Sequence, residues 1–238
     1  DPIFVYNVVN DTFRDLFNTT VNTDTVKIRA KYLISRDGYV LYANCLDIKD
    51  DLTGNVTYYG DRIYYTLKNQ ISSTTYSRFL GIHSDNGESI QSMTAKGSNN
   101  GTQIVVYKFS DIATVNYSIL NLTSNEGDIV IDNVVEGFGV LSPYGIANEG
   151  SFDIVPTEYG FIFFDGGQKN RLNLQEEIRP LSTLVQTDYQ RTIDQDTYLS
   201  TIGFYYPKRD WFIWSFINPF QTPNTAPNSA FIYDINIG

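Results

Sequence analysis

The chain is a succession of short runs in which apolar and polar residues alternate, separated by Gly, Asp, Asn, Ser or Pro. Alternation with a period of two is typical of a half-buried β-strand, and an Asp-Gly step between two such runs favours a hairpin. The step Asp37-Gly38 joins KIRAKYLIS to YVLYANCLDI in this way. Further hairpin turns are predicted at Gly60-Asp61, Phe109-Ser110, Gly160 and Pro207 to Asp210.

Four of these turns recur at a spacing of roughly 50 residues, close to the length of one four-stranded blade in a radial array of sheets. The predicted fold class is all-β, with antiparallel four-stranded blades that form a complete or partial β-propeller. Residues 1–238 are interpreted as one β-propeller-like domain. We expect it to be a piece of a longer polypeptide, because the sequence does not begin with Met and stops just after a strand-like run.

Residues 1–25 are predicted to form a lead-in strand and one short N-terminal helix. PIFVYNVV has the composition of a strand. In the following NDTFRDLFNTT, Phe13, Leu16 and Phe17 are spaced i, i+3, i+4, and Asn10 or Asp11 could cap the helix. No other segment has convincing helical periodicity.

The stretch YYPKRDWFIWSF, residues 205–216, contains both tryptophans of the chain. Alternation along its second strand places Trp211, Ile213 and Ser215 on one face and Phe212, Trp214 and Phe216 on the other. A strand that is apolar on nearly both faces is normally buried on both. We therefore expect this hairpin to pack between neighbouring sheets, although an exposed aromatic platform for a ligand is the alternative.

The composition supports a sheet protein and disfavours a nucleic-acid-binding one. Aromatic residues make up 15% of the chain, and aromatic side chains suit a pleated surface. The net charge is −10, and Lys and Arg form no run longer than the pair Lys208-Arg209. Since duplex binding depends on the neutralisation of phosphates by basic residues, this balance argues against ordinary DNA or RNA binding.

The single cysteine, Cys45, excludes an intrachain disulfide and lies in an apolar run, where a small buried hydrophobic role is expected. Missing disulfides disfavour a secreted glycoprotein of eukaryotic type. Against this stand six Asn-x-Ser/Thr sequons, a weak motif in a chain so rich in Asn and Thr. No apolar run approaches the ~18 residues of a membrane span. The sequons begin at Asn10, Asn18, Asn55, Asn100, Asn116 and Asn121.

No motif of catalysis, cofactor binding or metal binding is found, and the prediction is that the protein is not an enzyme. His83 is the only histidine, no nucleophile motif accompanies it, and an exposed loop or structural role is expected. One Cys and one His cannot supply the usual zinc ligands. The acidic clusters at 47–55 and 194–196 could attract calcium but lack EF-hand spacing, so solvated turns are favoured.

From Gln103 to Gly238 a series of phrases resembles the β-propeller of the tail-nozzle, or packaged-DNA stabilisation, proteins of short-tailed bacteriophages, including muzzle-type proteins of crAss-like phages. The family's Gly-x-x-Ser-Pro turn is matched at 139–143 and its Phe-x-Asp-x-Gly turn approximately at 163–167. An Ile-Arg segment at 177–182, the Tyr-Pro hairpin at 206–216 and a Tyr-Asp strand at 233–234 follow in the same order. The Trp that usually follows that last strand is not in this chain.

The resemblance implies a structural virion protein of a bacteriophage tail, in a nozzle, muzzle or head-to-tail stabilisation ring. Its partners would be further copies in a homo-oligomeric ring, other tail and portal proteins, and double-stranded DNA that passes without specific binding. Neither a cofactor nor a membrane span is implied. The alternative is a host-attachment or glycan-binding β module, for which the candidate aromatic residues are Tyr58, Tyr59, Tyr144 and Tyr159.

Overall fold

A computed structural model gives the fold. The chain divides into two compact units, residues 1–93 with 115–132 and residues 94–114 with 133–238. The residues that the structure describes are 4–7, 12–15, 27–36, 38–50, 55–69, 78–98, 101–118, 128–165, 178–180, 186–192, 198–221 and 226–237.

The described residues form antiparallel sheets whose strands follow one another in sequence order. Each strand therefore pairs with the strand before or after it in the chain, as antiparallel hairpins allow. The first four-stranded sheet contains β3 (Lys27–Arg36), β4 (Tyr39–Asp50), β5 (Asn55–Tyr65) and β6 (Phe79–Gly81). The second contains β7 (Ser92–Ser98), β8 (Gly101–Tyr107), β9 (Asp111–Ser118) and β10 (Asp128–Glu136).

The third and fourth sheets repeat this arrangement. The third contains β11 (Ala147–Asn148), β12 (Asp153–Thr157), β13 (Gly160–Phe164) and β14 (Ile178–Pro180). The fourth has three strands, β15 (Ile202–Tyr206), β16 (Trp211–Phe216) and β17 (Ser229–Asp234). The all-β class and the antiparallel sheets are therefore confirmed, with sheets of four and three strands.

The predicted N-terminal helix is wrong for residues 12–15, and the rest of the segment, residues 10–11 and 16–20, lies outside the described residues. Residues Thr12–Asp15 form strand β2, which pairs antiparallel with β1 (Phe4–Asn7), and Tyr6 lies opposite Phe13. An isolated helix of about ten residues is marginal, whereas the preceding strand supplies backbone partners at once. A helix that the sequence pattern did not predict, α1, occupies Gln186–Thr192.

The predicted turn at Gly60-Asp61 is also wrong, because β5 runs through it as one strand. Both halves of β5 pair with the long strand β4, and the register shifts between Ala43 and Cys45. Asn44 at this shift has a positive φ of 55°. The bulge contains the residues that were expected to form a turn.

The other predicted turns all lie between paired strands or at their ends. They are at Gly38, Phe109-Ser110, Gly160 and Pro207 to Asp210.

In the second unit, the third sheet has a hydrophobic layer on each face. Val155 of β12 packs in one cluster and its neighbour Ile154 in another, because adjacent residues of a strand point to opposite faces. The first cluster joins β12 and β13 to residues of β8, β9 and β10. The second joins them to Tyr189 of α1 and to Phe212 and Trp214 of β16. Consecutive sheets of this unit are thus stacked face to face.

Candidate functional site

A buried group of titratable side chains lies between β7 and β12. Lys96 Nζ is 3.3 Å from Asp153 Oδ2, and the two side chains are 1% and 0% exposed. Lys96 also donates a hydrogen bond to the backbone oxygen of Phe164 and lies 4.4 Å from the centre of that ring. The ion pair therefore connects the second sheet to the third inside the second unit.

Three further donors surround the carboxylate of Asp153. The Tyr107 hydroxyl and Thr94 Oγ1, the latter at 2.7 Å, both donate to Oδ2. Asn148 Nδ2 donates to Oδ1 at 2.6 Å. A buried carboxylate is tolerated only when its charge and lone pairs are satisfied, and these four side chains meet that requirement.

Burial is the largest cause of the pKa shifts of Lys96 and Tyr107. Desolvation lowers the pKa of Lys96, and the nearby charge of Asp153 opposes that shift. Desolvation also raises the pKa of Tyr107 well above its usual value, with the charge of Asp153 adding to the effect. Although perturbed groups of this kind can mark active sites, neither Lys96 nor Asp153 has solvent access through which a substrate could reach it. The arrangement is suited to holding two sheets in register.

A small pocket of about 70 Å³ opens at the tips of two hairpins of the second unit. Exposed Tyr159 stands at its edge, with the Phe138 ring 5.9 Å away and edge-on. A hydrogen bond to Glu158 raises the pKa of Tyr159. The volume suits a small group and not a whole sugar ring. The lining residues are Phe109, Ser110, Gly137, Gly139, Leu141, Thr157, Glu158 and Tyr159.

His83 and Cys45 lie where the sequence suggests. His83 precedes a short 3₁₀ turn with a positive φ of 42°, and its Nε2 is 3.2 Å from Asp85 Oδ1. Cys45 is fully buried in β4, which confirms the expected hydrophobic role. Among the described residues, no group of three or more His, Cys, Asp or Glu could hold a metal ion.

The four candidate tyrosines lie on separate elements or on opposite faces of one strand. Tyr58 and Tyr59 are neighbours in β5, and the Tyr58 hydroxyl donates to Asn44 Oδ1 at 2.7 Å. The Cζ atom of Arg62 lies 3.7 Å from the centre of the Tyr59 ring. Tyr144 lies between β10 and β11 and is 64% exposed, and Tyr159 lies in the β12–β13 turn. Within each unit, the structure does not assemble them into one platform.

The acidic clusters are described only in part. Residues 47–50 end strand β4, whereas 51–54 and 194–196 lie outside the described residues.

The Lys96–Asp153 pair is the group that sequence reasoning missed. One signal for it existed: Thr94 and Lys96 share a face of β7, and Asp153 begins the otherwise apolar DIVP of β12. A charge in a strand that is apolar on both sides requires a buried partner.

The fold defines the class: an all-β protein of antiparallel, sequentially ordered sheets that stack face to face in the second unit. No protein-family model matches the chain, and no curated protein matches it. None of the helices in the described part of the chain has the length and hydropathy that a membrane crossing requires.

Proposed function

We propose that this chain is a structural protein of a bacteriophage tail, part of a nozzle, muzzle or stabilisation ring around the channel that retains and ejects the genome. The observation that supports it best is the order of the sheets. Strands follow one another within each sheet, and consecutive sheets of the second unit stack through apolar faces, as blades do in the β-propeller that the sequence resembles. A complete or partial propeller is part of the proposal.

The charge of the chain fits the proposed channel. A lumen that carries acidic and neutral side chains repels phosphates, whereas a basic lumen would bind them through counterion release. With a net charge of −10 and no cluster of basic residues in its sequence, the chain offers little that would hold DNA in place. Buried networks such as Lys96–Asp153 suit a component that acts by rigidity, because they favour one arrangement of the sheets.

Structure determination of purified particles tests the proposal. We expect density for this chain as a symmetric ring at the tail end of the portal, and its peptides in the particle proteome. A second measurement is retention on duplex DNA at low salt, where no binding is expected. Absence of the chain from purified particles, or salt-sensitive duplex binding in the micromolar range, would contradict the proposal.

A second candidate function, attachment to a host glycan, is favoured by the exposed aromatic residues of the hairpin tips. Tyr159 and Phe109 border the small pocket, and Tyr144 is exposed on a loop of the same unit. Stacking of a sugar on such a ring would be lost in Tyr159→Ala. A glycan array in which the chain gives signals that Tyr159→Ala abolishes supports this candidate, and an array without signals refutes it.

A further inference from the structure

The small pocket at the tips of the β8–β9 and β12–β13 hairpins, the tip pocket, has walls that backbone hydrogen bonds hold in place. Val140 N donates to the backbone oxygen of Lys108 at 2.9 Å, and Leu141 N donates at 3.0 Å to a backbone oxygen of β12. Gly139 allows the close approach of these segments, because a Cβ there would collide with the backbone oxygen of Phe109. The tip pocket is therefore preformed, as ligand sites commonly are.

Two exposed aromatic rings border the tip pocket. Phe109 is 41% exposed and Tyr159 is 56% exposed. The centre of the Phe109 ring lies 6.2 Å from that of Tyr198, and the centre of the Tyr159 ring lies 5.9 Å from that of Phe138. The face of an aromatic ring is electron-rich, so such walls attract a cation as well as an apolar group.

A carboxylate completes the lining. Among the described residues that line the tip pocket, Glu158 is the one that carries a charge. It accepts a hydrogen bond from the Tyr159 hydroxyl, which holds the two side chains together. Because a carboxylate has about four acceptor positions, Glu158 can accept a hydrogen bond from a ligand at the same time. A negative charge beside aromatic faces favours a cationic ligand and disfavours an anion.

The volume selects the size of the cation. A water molecule occupies about 30 Å³ in the liquid, so a cavity of about 70 Å³ holds roughly two groups of that size. The CH₂–NH₃⁺ end of an unbranched alkyl chain fits this space. A guanidinium or trimethylammonium group has about twice as many heavy atoms and does not fit. The rest of the chain would lie along the exposed ring of Tyr159.

We propose that the tip pocket binds the terminal ammonium group of an unbranched alkylamine, with its nitrogen against the Glu158 carboxylate and its chain against the rings of Phe109 and Tyr159. Both contacts are partly exposed to water, which weakens the ion pair. We therefore expect a dissociation constant of about 1–10 mM for a simple monoamine. Free diamines and lysine side chains share this chemistry. The proposal depends neither on the role in a phage tail nor on glycan attachment.

Amide chemical shifts of the isotope-labelled chain, titrated with n-butylammonium chloride at constant ionic strength, test the proposal. Saturable shifts are expected at Gly137 and Gly139, which line the tip pocket. Uncharged n-butanol, which has the same chain, should bind at least about fivefold more weakly. Putrescine and Nα-acetyl-lysine methylamide distinguish the two sources of the ligand, because the tighter binder of the two identifies a free diamine or a lysine side chain.

Glu158→Gln and Tyr159→Ala should each weaken the binding of n-butylammonium at least about fivefold. Glu149→Gln is the matched control, since Glu149 is an exposed acidic residue of the same unit that does not line the tip pocket. It should bind like the wild type, and circular dichroism checks that all variants are folded.

Three results would overturn the proposal. The first is the absence of saturable shifts up to about 50 mM n-butylammonium, well above the expected constant. The second is binding of n-butanol with the same affinity. The third is a Glu158→Gln variant that keeps the wild-type affinity, or one that loses no more affinity than Glu149→Gln.

Discussion

The buried pair Lys96–Asp153 provides the sharpest test of how the sheets of the second unit are held together. In Lys96→Met the aliphatic stem is kept and the ammonium group is lost. Asp153 then retains three neutral donors, Tyr107, Thr94 and Asn148, but no positive charge. Removal of one partner of a buried pair typically costs about 3–5 kcal/mol, because a buried charge is left uncompensated.

The remaining neutral donors place Lys96→Met at the lower end of this range, about 3 kcal/mol. Asp153→Asn is expected to cost about 4 kcal/mol, because Lys96 loses the carboxylate that lies 3.3 Å from its Nζ and burial already disfavours its charged form. The double variant removes both charges. Its loss should be smaller than the sum by about 2 kcal/mol or more, the coupling expected of residues in direct contact.

Guanidinium unfolding followed by tryptophan fluorescence measures these changes. Both tryptophans, Trp211 and Trp214, lie in the second unit together with the ion pair, so their emission reports on the relevant part of the chain. Asp188→Asn, at an exposed acidic residue of the second unit, serves as a control for a charge change alone. Single variants that each lose less than about 1 kcal/mol, or losses that add without coupling, would refute the reasoning.

Three other perturbations have definite outcomes. Gly203→Ala would place a Cβ 2.2 Å from the backbone oxygen of Gly145, so unfolding should show a loss of about 2 kcal/mol or more; an unchanged midpoint contradicts this. Tyr58→Phe removes a hydroxyl that bridges two side chains of the first unit and should cost about 1 kcal/mol in guanidinium unfolding followed by circular dichroism. A hydrogen bond to Asp210 raises the pKa of Tyr205 to about 12, whereas an unfolded tyrosine titrates near 10. Its stabilising contribution is therefore complete below about pH 10 and lost as the pH rises through about 12, which ultraviolet titration against Tyr205→Phe measures.

Local patterns were sufficient for most hairpins of the fold. The Asp37-Gly38 step and the alternation around Pro207 to Asp210 depend on neighbouring residues alone, and both lie between paired strands. The local patterns failed where pairing with another strand decided the outcome. Gly60 looked like a turn, but the length of β4 allowed both halves of β5 to pair with it. Likewise Phe13 had helical spacing, but a strand was available beside it.

The tryptophan hairpin shows the same difference between what a local pattern predicts and what the packed structure decides. Alternation along residues 211–216 correctly identified the two faces, and Phe212, Trp214 and Phe216 are buried as expected. The other face was expected to be covered as well, but it is half-exposed on β16 and more exposed on β15 and β17. A sequence pattern records that a face is apolar, but only the packed structure shows whether another layer covers it.

The sequence by itself determined the all-β class, most of the predicted hairpin turns and the acidic charge, because these follow from residues a few positions apart or from composition. Tertiary structure decided which charges are buried and which faces meet. Lys96 and Asp153 are more than fifty residues apart in the chain, and only the stacking of two sheets brings their side chains to 3.3 Å. The free energy of such a pair depends on its burial and on partners from several strands. A local sequence pattern predicts neither the burial nor the partners.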